Sequence, residues 1–261
     1  MSQLQLSWLL AFICVVVLAG AGFRPYVAEF HGWVRRTLAL LALTGILATT
    51  VFLPLTSFGH AEEIDPDTIW FPSLLLGHLL LASFLLLWWR LRADITLAEF
   101  LRLHRGDWWR KMRAGAAAGC GGWLVTIAAT SMAAGLLALT GHAPGAAQAS
   151  PLISWLAELP VLKRLIMIAA AMTVEEAFFR GFLQPRFGLL LSTVFFALSH
   201  FSYGLPLMIV GVFIISLIIG RTFERSGDLL PCVVAHGIFD AVQLLVVLPW
   251  AVRAWPGTGA L

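Results

Sequence analysis

Charge and cysteine are both scarce in this chain of 261 residues: only 12% are Asp, Glu, Lys or Arg, and three are cysteine. With 60% hydrophobic residues and a mean hydropathy of +0.89, so little charge excludes a soluble domain and leaves a polytopic membrane protein. Cys14, Cys120 and Cys232 lie in apolar runs without CxxC spacing, which excludes a disulfide framework and a thiolate zinc site. No nucleic-acid motif accompanies the net charge of +3, and the basic residues cluster in particular loops, where they set membrane orientation. Positive charge is also missing from Met1 to Gln5, so the apolar run that follows is expected to be a retained helix and not a signal peptide.

What the chain has in abundance is apolar runs long enough to cross about 30 Å of hydrocarbon at about 1.5 Å per residue. They fall near 5–23, 37–55, 69–89, 115–140, 161–184, 188–203, 206–222 and 229–250. Backbone groups in lipid must be satisfied internally, so the expected fold is an all-α transmembrane bundle of about eight spans. Fourteen of the seventeen basic residues fall in the loops 24–36 and 90–113 and the turns 180–187 and 221–228. That side is expected to be cytoplasmic, with both termini extracytoplasmic; Lys163, Arg164 and Arg253 dissent. Thr96 to Glu99 has capping-box spacing and precedes Phe100, Trp108 and Trp109 among arginines, which predicts an interfacial helix near 96–112. Gly115 and Gly119, in GxxxG spacing, should admit another helix at close range. The expected division is 1–113 for the N-terminal helices and basic loop, 114–253 for a catalytic membrane domain, and 254–261 for a tail, with Gly141 to Pro151 the only linker-like stretch.

Ionisable residues inside the spans cost roughly 2.5 to 3.5 kcal/mol each on insertion scales and therefore mark candidate sites. Thr173 to Arg180, TVEEAFFR, places two adjacent carboxylates and an arginine in an apolar run. Glu176 and Arg180 are four apart in the favoured order for a helical pair, which leaves Glu175, about 100° away, as the unpaired acid. Further along lie Phe196-Ala-Leu-Ser-His200 and His236-Gly-Ile-Phe-Asp240, each with its ends on one helical face. The midpoint between Glu175 and His200 falls on Phe187-Gly188, just after Pro185 and Arg186. Two antiparallel helices folded there bring those side chains level, each about 18 Å above the turn. His236 and Asp240 reach the same layer from the last span. By contrast, His78 alone in Leu74 to Leu87 is expected to be a packing histidine, and His31, His60, His104 and His142 are loop residues with no assigned role.

A carboxylate and two imidazoles converging in a low-dielectric cavity admit two chemistries. In one, Glu175 takes a proton from a water held with His200, the water attacks an amide carbonyl, and His236 with Asp240 stabilises the oxyanion. In the other, Glu175, His200 and His236 ligate a zinc ion whose bound water attacks. Buried Glu, His and Asp also build proton relays, so a proton- or ion-coupled transporter competes, although no inverted repeat or pair of broken helices supports it. A catalytically silent immunity or scaffold protein is the third reading.

The three ordered motifs EExxxR, FxxxH and HxxxN/D, met here as Glu175-Glu176-Ala-Phe-Phe-Arg180, Phe196 to His200 and His236 to Asp240, resemble those of the CAAX-protease and bacteriocin-processing family of intramembrane proteases, related to type II CAAX prenyl endopeptidases. The resemblance covers roughly residues 115–250. It implies an endopeptidase in which Glu175 and His200 activate water without a metal cofactor and His236 and Asp240 stabilise the oxyanion, with Glu176, Arg180 and Phe196 in support. The implied partners are the lipid bilayer and a protein or peptide substrate with a membrane-embedded or lipidated C-terminal region. Fifteen arginines against two lysines suggest a GC-rich bacterial genome, hence an inner-membrane location, and disfavour a prenylated substrate.

Overall fold

The computed structural model describes residues 26–52, 54, 69–141, 151–201 and 206–254, and among them there is no β-strand. The expected first span, His60, the acidic stretch 62–67, His142, most of the linker at 141–151, the turn at 203–205 and residues beyond 254 lie outside the described set. In chain order the helices are α1 (Trp33–Leu47), α2 (Leu76–Arg92), α3 (Leu97–Phe100), α4 (Trp108–Leu139), α5 (Pro151–Glu158), α6 (Val161–Ala170), α7 (Gln184–Ser199), α8 (Pro206–Ser226), α9 (Leu229–Ala241) and α10 (Leu248–Ala254). Among the described residues six helical stretches are long and apolar enough to cross a membrane: Trp33–Val51, Phe71–Arg92, Trp108–Leu139, Val161–Ser199, Pro206–Ser226 and Leu229–Ala254. The protein is an integral membrane protein built as an all-α bundle.

The stretch Val161–Ser199 has 39 residues, about 58 Å of helix if it were straight and nearly twice a bilayer core. It does not run straight. Gly188 takes φ 81° and ψ 171°, a conformation that a residue without Cβ adopts at little cost, and the chain folds back on itself there. Across this hairpin the Phe179 and Phe196 rings pack edge to face at 4.9 Å, and Ser192 Oγ donates to the Phe179 carbonyl at 2.7 Å. Phe179 and Phe196 share the midpoint of Glu175 and His200, so the expected register is the observed one. The spans expected at 161–184 and 188–203 are thus two arms of one hairpin.

Two expectations are corrected, and one dissenting cation is accounted for. Arg180, placed in a cytoplasmic turn from sequence, is fully buried in the helix, where Glu176 satisfies its charge. Arg164, counted among the cations that dissent from the orientation, is 8% exposed and donates through Nη1 to the Leu244 carbonyl at 2.8 Å, within the π-helical stretch Val242–Val247. The interfacial helix expected over 96–112 is a single turn, α3, capped as predicted: Glu99 N donates to Thr96 Oγ1 while Glu99 Oε2 accepts from Thr96 N. Positive φ at Arg102, Gly106 and Asp107 then breaks the helix before Trp108 starts α4. The N–H and hydroxyl of Thr96 together hold the exposed Glu99 carboxyl below the usual carboxylate range.

One apolar core links the N-terminal helices to the motif-bearing hairpin, including Leu43 and Leu47 of α1, Phe84 and Trp88 of α2, and Phe178, Phe179 and Phe182. The α2 helix runs alongside the TVEEAFFR segment as a ladder. Phe84 meets Phe178 at 5.7 Å and Phe182 at 5.0 Å, both edge to face, and Trp88 meets Phe182 at 4.8 Å. At the end nearer Gly188, Glu29 accepts from Trp88 Nε1 (2.9 Å), Arg92 Nη1 (2.8 Å) and Arg186 Nη2 (3.0 Å), closing the ladder with a shared anion.

The GxxxG expectation is met by α9. A Cβ at Gly115 would lie 2.5 Å from the Pro231 carbonyl oxygen, and one at Gly119 would lie 2.7 Å from that of Ala235. Both obstacles are backbone, so a side chain at Gly119 must part α4 from the helix that carries His236. Gly119→Leu should cost about 1–3 kcal/mol, read as a lower melting temperature in detergent. Gly121→Ala is the matched control, because nothing lies within 4 Å of its Cβ position, and it should melt like the parent.

Asp228 caps α9 by accepting from Leu230 N at 2.9 Å, and it also accepts from His104 N at 3.0 Å and Lys111 Nζ at 2.7 Å. Burial pushes the carboxyl upward, but these donors outweigh it and hold the group below its ordinary value. Its folded value lies below the unfolded one near 3.9, so the stability it supplies is complete above that range and is lost as pH falls through the folded value. Asp228→Asn should therefore flatten the acid limb of a plot of melting temperature against pH; an unchanged limb would show that the cap carries no such linkage.

Candidate active site

The motif segment is not regular α-helix. The ladder widens to π-helix over Ala171–Glu175 and again over Ala177–Leu183, the kind of local widening that recurs at functional sites. The two adjacent glutamates turn to different partners.

Glu175 faces a cavity of about 550 Å³ whose walls are largely apolar, among them Ile127, Met208, Val212, Phe239 and Leu248. His78, Glu175, His200, His236 and Asp240 all line it. Oε1 of Glu175 lies 3.0 Å from His78 Nε2; Oε2 has no hydrogen-bond partner among the described residues and lies 4.0 Å from His200 Nε2. His200 ends α7, where its Nδ1 lies 2.8 Å from the Phe196 carbonyl oxygen and 3.1 Å from Ser199 Oγ. A carbonyl can only accept, so Nδ1 carries a proton, and in the neutral ring Nε2 presents a lone pair toward Glu175.

Glu176 points to the other side, fully buried with Arg180. Arg180 Nε donates to its Oε2 at 3.0 Å, as the spacing predicts, and Arg180 Nη2 donates to Ser216 Oγ at 3.1 Å. The structure adds a contact that the sequence did not suggest: Glu176 Oε1 receives His236 Nδ1 at 2.8 Å. The other ring nitrogen, Nε2, lies 3.3 Å from Asp240 Oδ2 one turn on, the expected pairing. Phe196 joins the two halves. Its ring lies 4.7 Å from that of His200, 5.9 Å from that of His236, and 5.1 Å from the Arg180 guanidinium carbon.

All four candidate catalytic residues therefore border one cavity, which Phe196 also lines, and Glu176 and Arg180 brace them from behind. His78, expected to be packing only, contacts Glu175 instead. The available signal was its place as the single ionisable side chain among leucines; what was missing was the long-range packing of α2. A zinc set of Glu175, His200 and His236 fits this arrangement poorly, because His236 has carboxylate oxygens against both nitrogens. Among the described residues no group of three or more His, Cys, Asp or Glu is disposed to hold a metal ion.

An all-α membrane bundle with buried acids and imidazoles around an apolar cavity is the class this fold and site define. Residues 155–242 match the family model described as Type II CAAX prenyl endopeptidase Rce1-like, in agreement with the family the three motifs resemble, and all three motifs fall inside the match. The chain is also similar to the Uncharacterized protein YpbD of Bacillus subtilis (strain 168), with 41% identity over 69 residues. That stretch is 26% of this chain and 36% of the relative, so the similarity spans about a third of the curated protein's length. No solved structure matches.

Proposed function

We propose that the protein is an intramembrane endopeptidase of the CAAX-protease type that hydrolyses a peptide bond near the C-terminus or membrane segment of a substrate protein. The observation that carries this reading is the pairing of an unpartnered Glu175 Oε2 with a lone-pair-bearing His200 Nε2, 4.0 Å apart on the wall of an apolar cavity. Two acceptors at that separation suit one water: hydrogen bonds of about 2.8 Å to each subtend roughly 90° at its oxygen, close to the angle between its two O–H bonds.

In this mechanism the water donates to both acceptors, so its lone pair is turned toward the scissile carbonyl. Glu175 takes one proton as the oxygen attacks, and returns it to the leaving amine as the tetrahedral intermediate collapses. Charge on the carbonyl oxygen is met by His236 and Asp240 from α9, with the proton between them as the donor. Glu176 fixes the ring through Nδ1, so Nε2 stays toward the cavity without further reorganisation. The catalytic parts lie in the proposed domain 114–253, with the helices of 1–113 packed against it. We place the protein in the bacterial inner membrane with the basic loops cytoplasmic and both termini outside, on the distribution of arginine.

The test is cleavage of membrane-anchored reporters with apolar C-terminal tails, half of them prenylated, by full-length protein in lipid nanodiscs. Processing that survives removal of divalent metal supports Glu175 as the base; loss on chelation and recovery with zinc would transfer the role to a metal. Proton-coupled solute uptake without any proteolysis would replace the reading with a transporter.

A further inference from the structure

The family match begins at residue 155, yet one polar contact to the proposed base comes from well before it. His78 sits in the first turn of α2, flanked by Leu76, Leu79 and Leu80 on the exposed face, and turns inward to line the cavity. Its depth is set by the packing below it. Phe84 on Phe178 and Phe182, Trp88 on Phe182, and Glu29 between Arg92 and Arg186 hold α2 in register with the motif segment over about two turns.

That register puts Nε2 of His78 3.0 Å from Oε1 of Glu175, with no partner for its own Nδ1 among the described residues. A histidine serving only to fill space has no need to spend its one hydrogen bond on this carboxylate. The terminal torsion of a glutamate is broad, so an unheld carboxylate would sweep both oxygens past His200. A donor fixed on Oε1 removes that freedom and leaves Oε2 aimed at His200 Nε2. We propose that His78 is the positioning residue for Glu175, clamping Oε1 so that Oε2 shares a water with His200. The inference rests on the endopeptidase reading. It makes the N-terminal helices part of the working site and not only an anchor.

The experiment compares full-length wild type, His78→Leu, His78→Met and His78→Gln in nanodiscs, on the reporter cleaved in the functional assay. His78→Leu and His78→Met should lower kcat roughly 10²-fold, the penalty of a misplaced reacting group, while KM stays within about twofold. His78→Gln, whose amide N–H reaches the same oxygen, should recover most of that loss. A packing role predicts the opposite order, with the apolar variants active and the polar one impaired. Wild-type turnover in either apolar variant, or no recovery by Gln over an equally well-folded Met variant, overturns the proposal. A second measurement needs no turnover: the rate at which a lipid-soluble carbodiimide labels Glu175, followed by mass spectrometry. Removal of the His78 donor should change that rate several-fold and Gln should restore it; identical rates in all four proteins overturn the clamp. If wild type cleaves no reporter but labelling still follows the donor, the endopeptidase reading fails while the His78–Glu175 clamp stands.

Discussion

Glu175→Gln should abolish cleavage while leaving the protein folded. General-base catalysis contributes about 10²- to 10⁴-fold, and the amide has no basic oxygen with which to take a proton from water, so turnover should fall by at least that factor. Folding is expected to survive because the substitution is isosteric and keeps an acceptor: the amide Oε1 still receives His78 Nε2–H, now at 3.0 Å from the carboxylate. The side chain faces the cavity and forms no ion pair with Arg180, whose charge is met by Glu176. Single-turnover cleavage and a melting curve on the same preparation check the two halves separately. A variant that melts like wild type and still cleaves within a few-fold of it would remove Glu175 as the base, leaving Asp240 as the other carboxylate on the cavity wall.

Much of this arrangement was legible in the sequence because short-range geometry determined it. Spacings of four along a helix gave the Glu176–Arg180 and His236–Asp240 pairs, and simple counting about Phe187-Gly188 gave the level of Glu175 and His200. Both depend only on the rise of a helix and the place of one turn. GxxxG spacing likewise announced a close neighbour, although it did not identify α9 as that neighbour. The missing pieces are contacts between residues far apart in the chain. His78 and Glu175 are 97 positions apart, and Glu176 and His236 are 60 apart. No periodicity encodes either contact; each follows from which aromatic faces interlock. The π-helical stretches were equally hidden, since an extra residue per turn leaves no compositional mark. The Glu176 pairing already implied a buried Arg180; counting the same residue in the turn at 180–187 for orientation failed because the chain does not fold back until Gly188.

Two adjacent acids are both accommodated because each has its own partners. In a bundle interior the cost of an ionised group is met only by a partner, and the two carboxylates find theirs on different elements: α2 and α7 for Glu175, α8 and α9 around Glu176 and its arginine. One acid keeps an oxygen for chemistry. The other has both oxygens occupied.

That division makes Glu176 the second large prediction. Glu176→Leu strands Arg180, which is 0% exposed and among the described residues retains only Ser216 Oγ as a hydrogen-bond acceptor, in an apolar interior. Removing one partner of a buried pair typically costs about 3–5 kcal/mol, enough to lower expression and melting temperature sharply. Replacing both partners, as in Glu176→Leu with Arg180→Leu, takes away the stranded charge and should recover most of the stability. Activity should not recover with it. In the double variant His236 still lacks the Oε1 atom that accepts its Nδ1–H at 2.8 Å, so the ring can turn and the oxyanion donor is no longer aimed. The expected result is a stable protein whose kcat stays depressed with KM little changed. If the double variant regains wild-type cleavage together with its melting temperature, Glu176 serves the fold alone and the contact with His236 is incidental. If neither property returns, the pair is needed for assembly of α8 and α9, and its role in catalysis would have to be read from Glu176→Gln, which keeps an acceptor for His236 while neutralising the acid.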